Sequence, residues 1–370
     1  MVGLTTPTGA SSLRPADRKR FPWGGIDTAA RRSIHDVARL AGVHPSTVSR
    51  ALHRADLPLR PETRRRVLAA VERLGYRPSA IARGLRLQRT HALGMLVPDI
   101  TNPFFPPIIR GVEEAARDRG YELVLCNTDD SPERETASLR LLREHQADGL
   151  LIATSRMTDT TVAALRRERF PFVLVNRGSN VGADLSVEVD NERAAETVIA
   201  HLAGLGHRRI AHIAGPLSTT TGAERAAGYR AAMKARGLPL EASLLEEADA
   251  YAEPSGFAAC SRLLRAAPTA IFAANDLLVL GALRAARAAG LRVPGDLSLV
   301  GVNDIPLVEL IDPPLTTIRV PQREMGQLAA NMLIAVLEKT PVTQRHVLLD
   351  TTLVVRGSTA APSTAARSVA

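Results

Sequence analysis

The sequence predicts an α/β protein: two doubly wound parallel-sheet subdomains preceded by an all-α helix-turn-helix headpiece. Three observations carry this expectation. Residues 33–50, SIHDVARLAGVHPSTVSR, have the spacing of two short helices around a glycine. From His91 onward, seven apolar runs of strand length alternate with helical stretches. The excess of positive over negative charge lies entirely within residues 1–90, the segment that contains the first feature.

In the headpiece, Ile34, Val37, Ala38 and Ala41 fall at i, i+3, i+4 and i+7, one face of a helix. Ser33 with Asp36 forms an S-x-x-D capping pattern at its start. Gly42 permits a sharp turn that only a residue without Cβ makes freely, and Val43 tucks beneath it. Pro45 suits the first position of the next helix, where a missing N–H costs nothing. Along that helix Val48, Ala51 and Leu52 point inward, leaving Pro45, Ser46, Thr47, Ser49 and Arg50 to face out. This is a helix-turn-helix with its recognition helix at 45–52. A third helix starts at Pro61, turns Val67, Leu68, Val71 and Leu74 inward, and ends at Gly75. The three together make a headpiece at 33–78.

An ordinary corner of two helices would share that pattern, and charge separates the two. The net charge is +9, and residues 1–90 hold 18 Lys and Arg against 6 Asp and Glu, while the remaining 280 hold 29 against 32. A groove-sized helix in a basic segment is suited to neutralising phosphates. Only Lys19, Lys234 and Lys339 are lysines, a bias expected from a GC-rich genome. Residues 1–32 lack periodicity and are expected to form a disordered arm.

At 370 residues, with 45% hydrophobic side chains and a mean hydropathy of −0.01, the chain can bury a large core. No apolar run approaches the ~20 residues of a membrane span, and no signal-peptide core is apparent. Cys126 and Cys260 are too few and too distant for a disulfide framework or zinc site. The expectation is a cytoplasmic protein with reduced thiols, no cofactor and no membrane contact.

The runs ALGMLVPD, YELVLCN, ADGLLIA, FPFVLVN, RIAHIAG, AIFAAND and LSLVGVN are continuously apolar, as in a parallel sheet covered on both faces. Ligands of such sheets bind beyond the carboxyl ends of the strands. Those ends carry Asp99–Asn102, Asn127–Asp130, Asn176–Arg177, Asn275–Asp276 and Asn303–Asp304. So many amides and carboxylates suit a hydroxyl-rich ligand, although some only cap the following helix.

Read together, SIHDVARLAGV, STVSRAL, ETRRRV, LGYRPSAIARGL, LVPDITNPFF, LGHRRIAHIAGP, FAANDLLVLGAL, VPGDLSLVGVND and PPLTTI resemble the lactose-repressor (LacI/GalR) family over residues 33–357. The resemblance implies a homodimeric bacterial transcriptional regulator, a repressor of a palindromic DNA operator, with a core similar to periplasmic sugar-binding proteins. It places base reading on Pro45, Ser46 and Arg50, the last able to bond guanine O6 and N7 together. It places phosphate contacts on His35, Thr47, Ser49 and Tyr76. His44 stands where a serine cap is frequent, and is the poorer cap, with Pro45 compensating by pre-setting φ.

The resemblance also makes residues 79–90 a hinge helix and linker, with Ser79, Ala82 and Leu85 at the minor groove and Leu85 as a wedge between base pairs. Residues 91–357 form the effector-binding and dimerisation core. Its effector cleft is expected at Asn102, Phe104, Phe105, Arg225, Tyr251, Asn275 and Asn303. A sugar is the favoured effector, with a nucleobase as the other possibility. Many relatives carry aspartate where this chain has Asn303, so Asp304 is expected to brace the turn. His207 is expected to be structural. The Ser-, Thr-, Ala- and Pro-rich segment from 358 to 370 has no leucine heptad; it is expected to be a disordered tail that forms no tetramerising coiled coil.

Catalysis is disfavoured. The chain has no CxxC pair, HExxH, P-loop or GxSxG, GPLSTTTG lacks a phosphate-binding lysine, and neither His212 nor Asp190 has an apparent nucleophile partner. An exported sugar-binding protein is disfavoured by the basic headpiece and the missing export signal.

Overall fold

A computed structural model describes residues 33–53, 59–76, 90–144, 147–154, 156, 160–179 and 184–363. The expected arm at 1–32, the hinge residues Ser79, Ala82 and Leu85, and residues 364–370 lie outside them. The chain divides into two compact units, 1–82 and 83–370, each described separately.

The first unit contains α1 (Ile34–Ala41), α2 (Pro45–His53) and α3 (Pro61–Leu74). The Ser33 side chain accepts from the Asp36 backbone N–H, and the Asp36 carboxylate accepts from that of Ser33, closing the capping box. Gly42 ends α1 in the left-handed region at φ 62°. Val37, Ala38, Ala41, Val48, Ala51, Val67 and Ala70 form the small core, with Val43, Leu52, Val71 and Leu74 packed against it. Leu68, expected inside, is 46% exposed; Ala70 takes the inward place on α3.

The second unit holds two six-stranded sheets. The first sheet has the order β11-β5-β4-β3-β1-β2 and the second β12-β10-β9-β8-β6-β7. In the first sheet β1 is Ala92–Val97, β2 Glu122–Asn127, β3 Gly149–Ile152, β4 Phe172–Val175, β5 Ser186–Val189 and β11 His346–Leu349. In the second, β6 is Ile210–Ala214, β7 Leu245–Glu247, β8 Ala270–Ala273, β9 Ser298–Asn303, β10 Thr316–Arg319 and β12 Thr352–Val354. All pairings are parallel except β10 with β12.

Helices α4 (Phe105–Asp118), α5 (Pro132–Glu144), α6 (Thr160–Arg167) and α11 (Gln322–Glu338) accompany the first sheet. Helices α7 (Asn191–Gly204), α8 (Thr220–Ala235), α9 (Glu253–Leu263) and α10 (Asp276–Ala288) accompany the second. The chain passes between the sheets three times, after β5, after β10 and after β11. All seven apolar runs are strands. One buried cluster runs through both sheets, and a second lies under α5 and α6. Among the described residues no helix is long and apolar enough to cross a membrane.

The segment from Ser358 departs from the expected disordered tail. Ser358 is buried, its hydroxyl donating to the Leu299 carbonyl at 2.6 Å and accepting from the Thr316 N–H at 2.8 Å. The Ala360 carbonyl lies 2.8 Å from His207 Nε2. The composition is that of a flexible linker, yet the hydroxyls meet unpaired groups on β9 and at the start of β10, and the segment straps the second sheet.

Candidate functional site

Two sites emerge, one in each unit. On the headpiece, Ser46 and Arg50 are exposed on α2, with Pro45 and Thr47 half-buried beside them and His35 exposed on α1. Tyr76 is half-buried against the headpiece core. Ser49, expected to face out, is only 6% exposed, beside Val48 on α2. At 100° per residue, position 49 lies next to the buried stripe of α2. His44 caps α2 through its ring, with Nδ1 accepting the Ser46 N–H at 3.3 Å and lying 2.8 Å from Ser46 Oγ.

In the second unit, all seven expected effector residues line one cleft between the two sheets. Asn102, Phe104 and Phe105 come from the segment between β1 and α4, Arg225 from α8, Tyr251 from the loop before α9, Asn275 from the end of β8 and Asn303 from the end of β9. Three further residues line it: Asn176 and Arg177 after β4, and Thr221 on α8. The first two stood among the strand-end amides and charges of the sequence. Nothing local distinguished Thr221 within its run of threonines.

Local structure sets each side chain. Asn102 Oδ1 accepts the Phe104 N–H at 3.1 Å, and the two phenylalanine rings meet edge to face with centroids 5.2 Å apart. Asn275 Oδ1 caps α10 by accepting the Leu278 N–H at 2.9 Å, so its amide nitrogen remains available as a donor. Asn176 and Asn303 have positive φ, 65° and 121°, a strained conformation found where function or surrounding structure holds it. Asn176 Oδ1 is buried and has no hydrogen-bond partner among the described residues. A buried unpaired acceptor in a cleft is a place for a ligand donor.

Arg225 and Arg177, the two arginines lining the cleft, are both buried, and Arg225 is held by the second half of the unit. Arg225 Nε donates to Asn191 Oδ1 at 2.9 Å and its Nη1 to the Ala274 carbonyl at 2.6 Å. Burial lowers its pKa, offset in part by the charges of Tyr251, Glu224 and Asp276. Arg177 reaches across from the first sheet, pairing with Asp130 at 2.9 Å and lying 5.8 Å from the centroid of the Tyr251 ring. The Tyr251 hydroxyl lies 2.9 Å from Thr221 Oγ1. Side chains of the two walls therefore touch one another across the cleft.

The Asn303 turn is fixed from behind. Asp276 Oδ2 accepts the Ile305 N–H at 2.9 Å and Oδ1 the Thr317 hydroxyl at 2.6 Å. A Cβ on Gly301 would lie 2.3 Å from Asp276 Oδ1, so glycine there makes room for the carboxylate. Asp304 pairs with Arg319 at 2.7 Å and Arg356 at 2.8 Å, the bracing role expected of it.

Asp190 and His212, the two residues weighed for catalysis, both have structural partners. Asp190 caps α7, accepting the Arg193 N–H at 2.9 Å. His212 is sealed between Tyr229 and Phe272, its ring 4.9 and 4.5 Å from theirs, and burial pushes its pKa down to about 3. His207 is a structural histidine, bonded to Thr269, Ser298 and Ala360. Among the described residues no group of three or more His, Cys, Asp or Glu is placed to hold a metal ion.

A helix-turn-helix headpiece and a two-sheet core with a polar cleft between its halves define a class: ligand-responsive, DNA-binding regulators. Residues 33–79 match the profile of bacterial regulatory proteins of the lacI family, and residues 199–359 that of a periplasmic binding protein-like domain. The chain is 36% identical over 329 residues to the ribose operon repressor of Escherichia coli (strain K12), covering 88% of this chain and 99% of that protein. It superposes on the Lac repressor dimer bound to operator and the anti-inducer ONPF with a TM-score of 0.80 at 28% identity, covering 89% and 99% of the two chains. It also resembles a LacI family regulator from Enterococcus faecium with bound ribose, with a TM-score of 0.65 at 30% identity, covering 74% and 100%. The chain belongs to the LacI family of bacterial transcriptional regulators. It is a ligand-responsive DNA-binding regulator.

Proposed function

We propose that the chain is a cytoplasmic homodimeric repressor of a palindromic operator, released or recruited by a sugar bound in the cleft. Ser46, Arg50 and Pro45 read base edges, and His35, Thr47, Ser49 and Tyr76 contact phosphates. The hinge residues Ser79, Ala82 and Leu85 complete the DNA interface at the minor groove. The observation that carries the effector assignment is the convergence in one cleft of residues from both sheets: four asparagines, two arginines and two phenylalanines. Planar amides and guanidinium groups bond paired hydroxyls, while aromatic rings stack on the apolar faces of a sugar. Contacts such as Arg177 on Tyr251 tie ligand occupancy to the spacing of the two halves. A ligand shifts DNA affinity only through different affinities for two such spacings.

The test is a thermal-shift panel on the full-length chain with D-ribose, cellobiose and hypoxanthine. A sugar that raises Tm and changes operator affinity supports the assignment. A response to hypoxanthine alone replaces the sugar with a nucleobase.

A further inference from the structure

The geometry points to His44 as the residue that fixes the hydrogen-bonding polarity of Ser46, restricting that position of the operator to adenine or cytosine. This inference rests on the assignment of Ser46 as a base reader and names what it reads. The Ser46 backbone N–H lies 3.3 Å from His44 Nδ1. A backbone N–H only donates, so Nδ1 carries the lone pair and the ring proton sits on Nε2. Ser46 Oγ is 2.8 Å from that same nitrogen, and its hydroxyl donates there as well.

With its proton committed, the exposed Ser46 oxygen offers only lone pairs to the groove. A free serine hydroxyl serves as donor or acceptor and reads bases permissively. An acceptor-only oxygen favours the amino groups of the major-groove edge, N6 of adenine and N4 of cytosine. It faces lone pairs at guanine O6 and N7 and at thymine O4, and rejects them. His44 is thus a positioning residue with a chemical output. It need not touch DNA to set the base preference of its neighbour.

Selection from a random duplex library tests this with full-length wild type, Ser46→Ala, His44→Gly and His44→Asn at one salt concentration. Ser46→Ala locates the operator position that Ser46 reads, because preference there relaxes. Wild type should favour adenine or cytosine at that position by about tenfold. His44→Gly retains an acceptable cap but removes the ring acceptor, so guanine and thymine should enter there to within about threefold. The guanine read by Arg50 should be unchanged. His44→Asn, whose amide oxygen accepts the same two bonds, should restore the wild-type preference. Guanine or thymine at this position in wild type, or an unchanged preference in His44→Gly, overturns the inference. If Ser46→Ala changes no position, Ser46 is not a base reader, and that assignment fails first.

Discussion

Thr317 donates its hydroxyl to Asp276 Oδ1 across 2.6 Å, and both side chains are sealed from solvent. Their contact ties β10 to α10 directly behind Asn303, so the floor of the cleft is built on a buried acid. Burial pushes the Asp276 pKa up from 3.8 to about 7, opposed by the bonds from Thr317 and Ile305. The folded pKa lies above the unfolded one, so this group favours folding below about pH 4, and that contribution is lost as pH rises toward 7. Asp276→Asn should therefore gain stability relative to wild type between pH 5 and pH 8, by about 2–3 kcal/mol. Urea denaturation of both proteins at the two pH values checks it; parallel pH dependence contradicts it.

Ser358 supplies both a donor and an acceptor to the second sheet. Ser358→Ala leaves a buried N–H at Thr316 without its partner, a loss of about 1–3 kcal/mol. A fall in Tm should follow, with DNA affinity unaffected below the transition. An unchanged Tm would mean that the strap does not contribute to stability.

Arg225→Lys keeps a cation but cannot serve both Asn191 and the Ala274 carbonyl in the planar geometry of guanidinium. Ligand affinity measured by calorimetry should fall at least tenfold, while binding of ligand-free protein to operator persists. Full ligand affinity in this variant would place the effector elsewhere.

Leu85→Ala removes the proposed minor-groove wedge. Specific binding should weaken by a few kcal/mol, and the operator bend read by fluorescence energy transfer should shrink, with Tm of the core unchanged. Wild-type affinity and bend would dismiss the wedge.

The sequence announces what depends on short-range pattern. Ser33, Asp36 and Gly42 bound α1 as their residue types dictate, and seven strands are continuous apolar runs. The five strands it did not announce are short and carry polar residues; β5 has Ser186 and Glu188 at buried positions. Glu188 bonds Ser186 and lies 3.5 Å from His346, a neighbour 158 residues later that no local pattern can reveal. The seven cleft residues were named through family resemblance, and strand ends alone suggested only part of the wall. Ser49 and Leu68 went the wrong way because each lies at the margin of a helical stripe, where tertiary packing decides. The way His44 caps α2, with Nδ1 near both the N–H and the hydroxyl of Ser46, depends on a ring position that residue type alone does not give.

The most direct test of the account is fluorescence anisotropy of full-length protein on a library-selected duplex and a scrambled one, with and without the panel sugars. The account predicts a specific Kd of about 10⁻⁸ M or tighter at physiological salt, at least a thousandfold below the scrambled duplex. It also predicts that one sugar changes the specific Kd by about 5–150-fold. Equal affinity for both duplexes, or a specific affinity that no sugar alters, would contradict it.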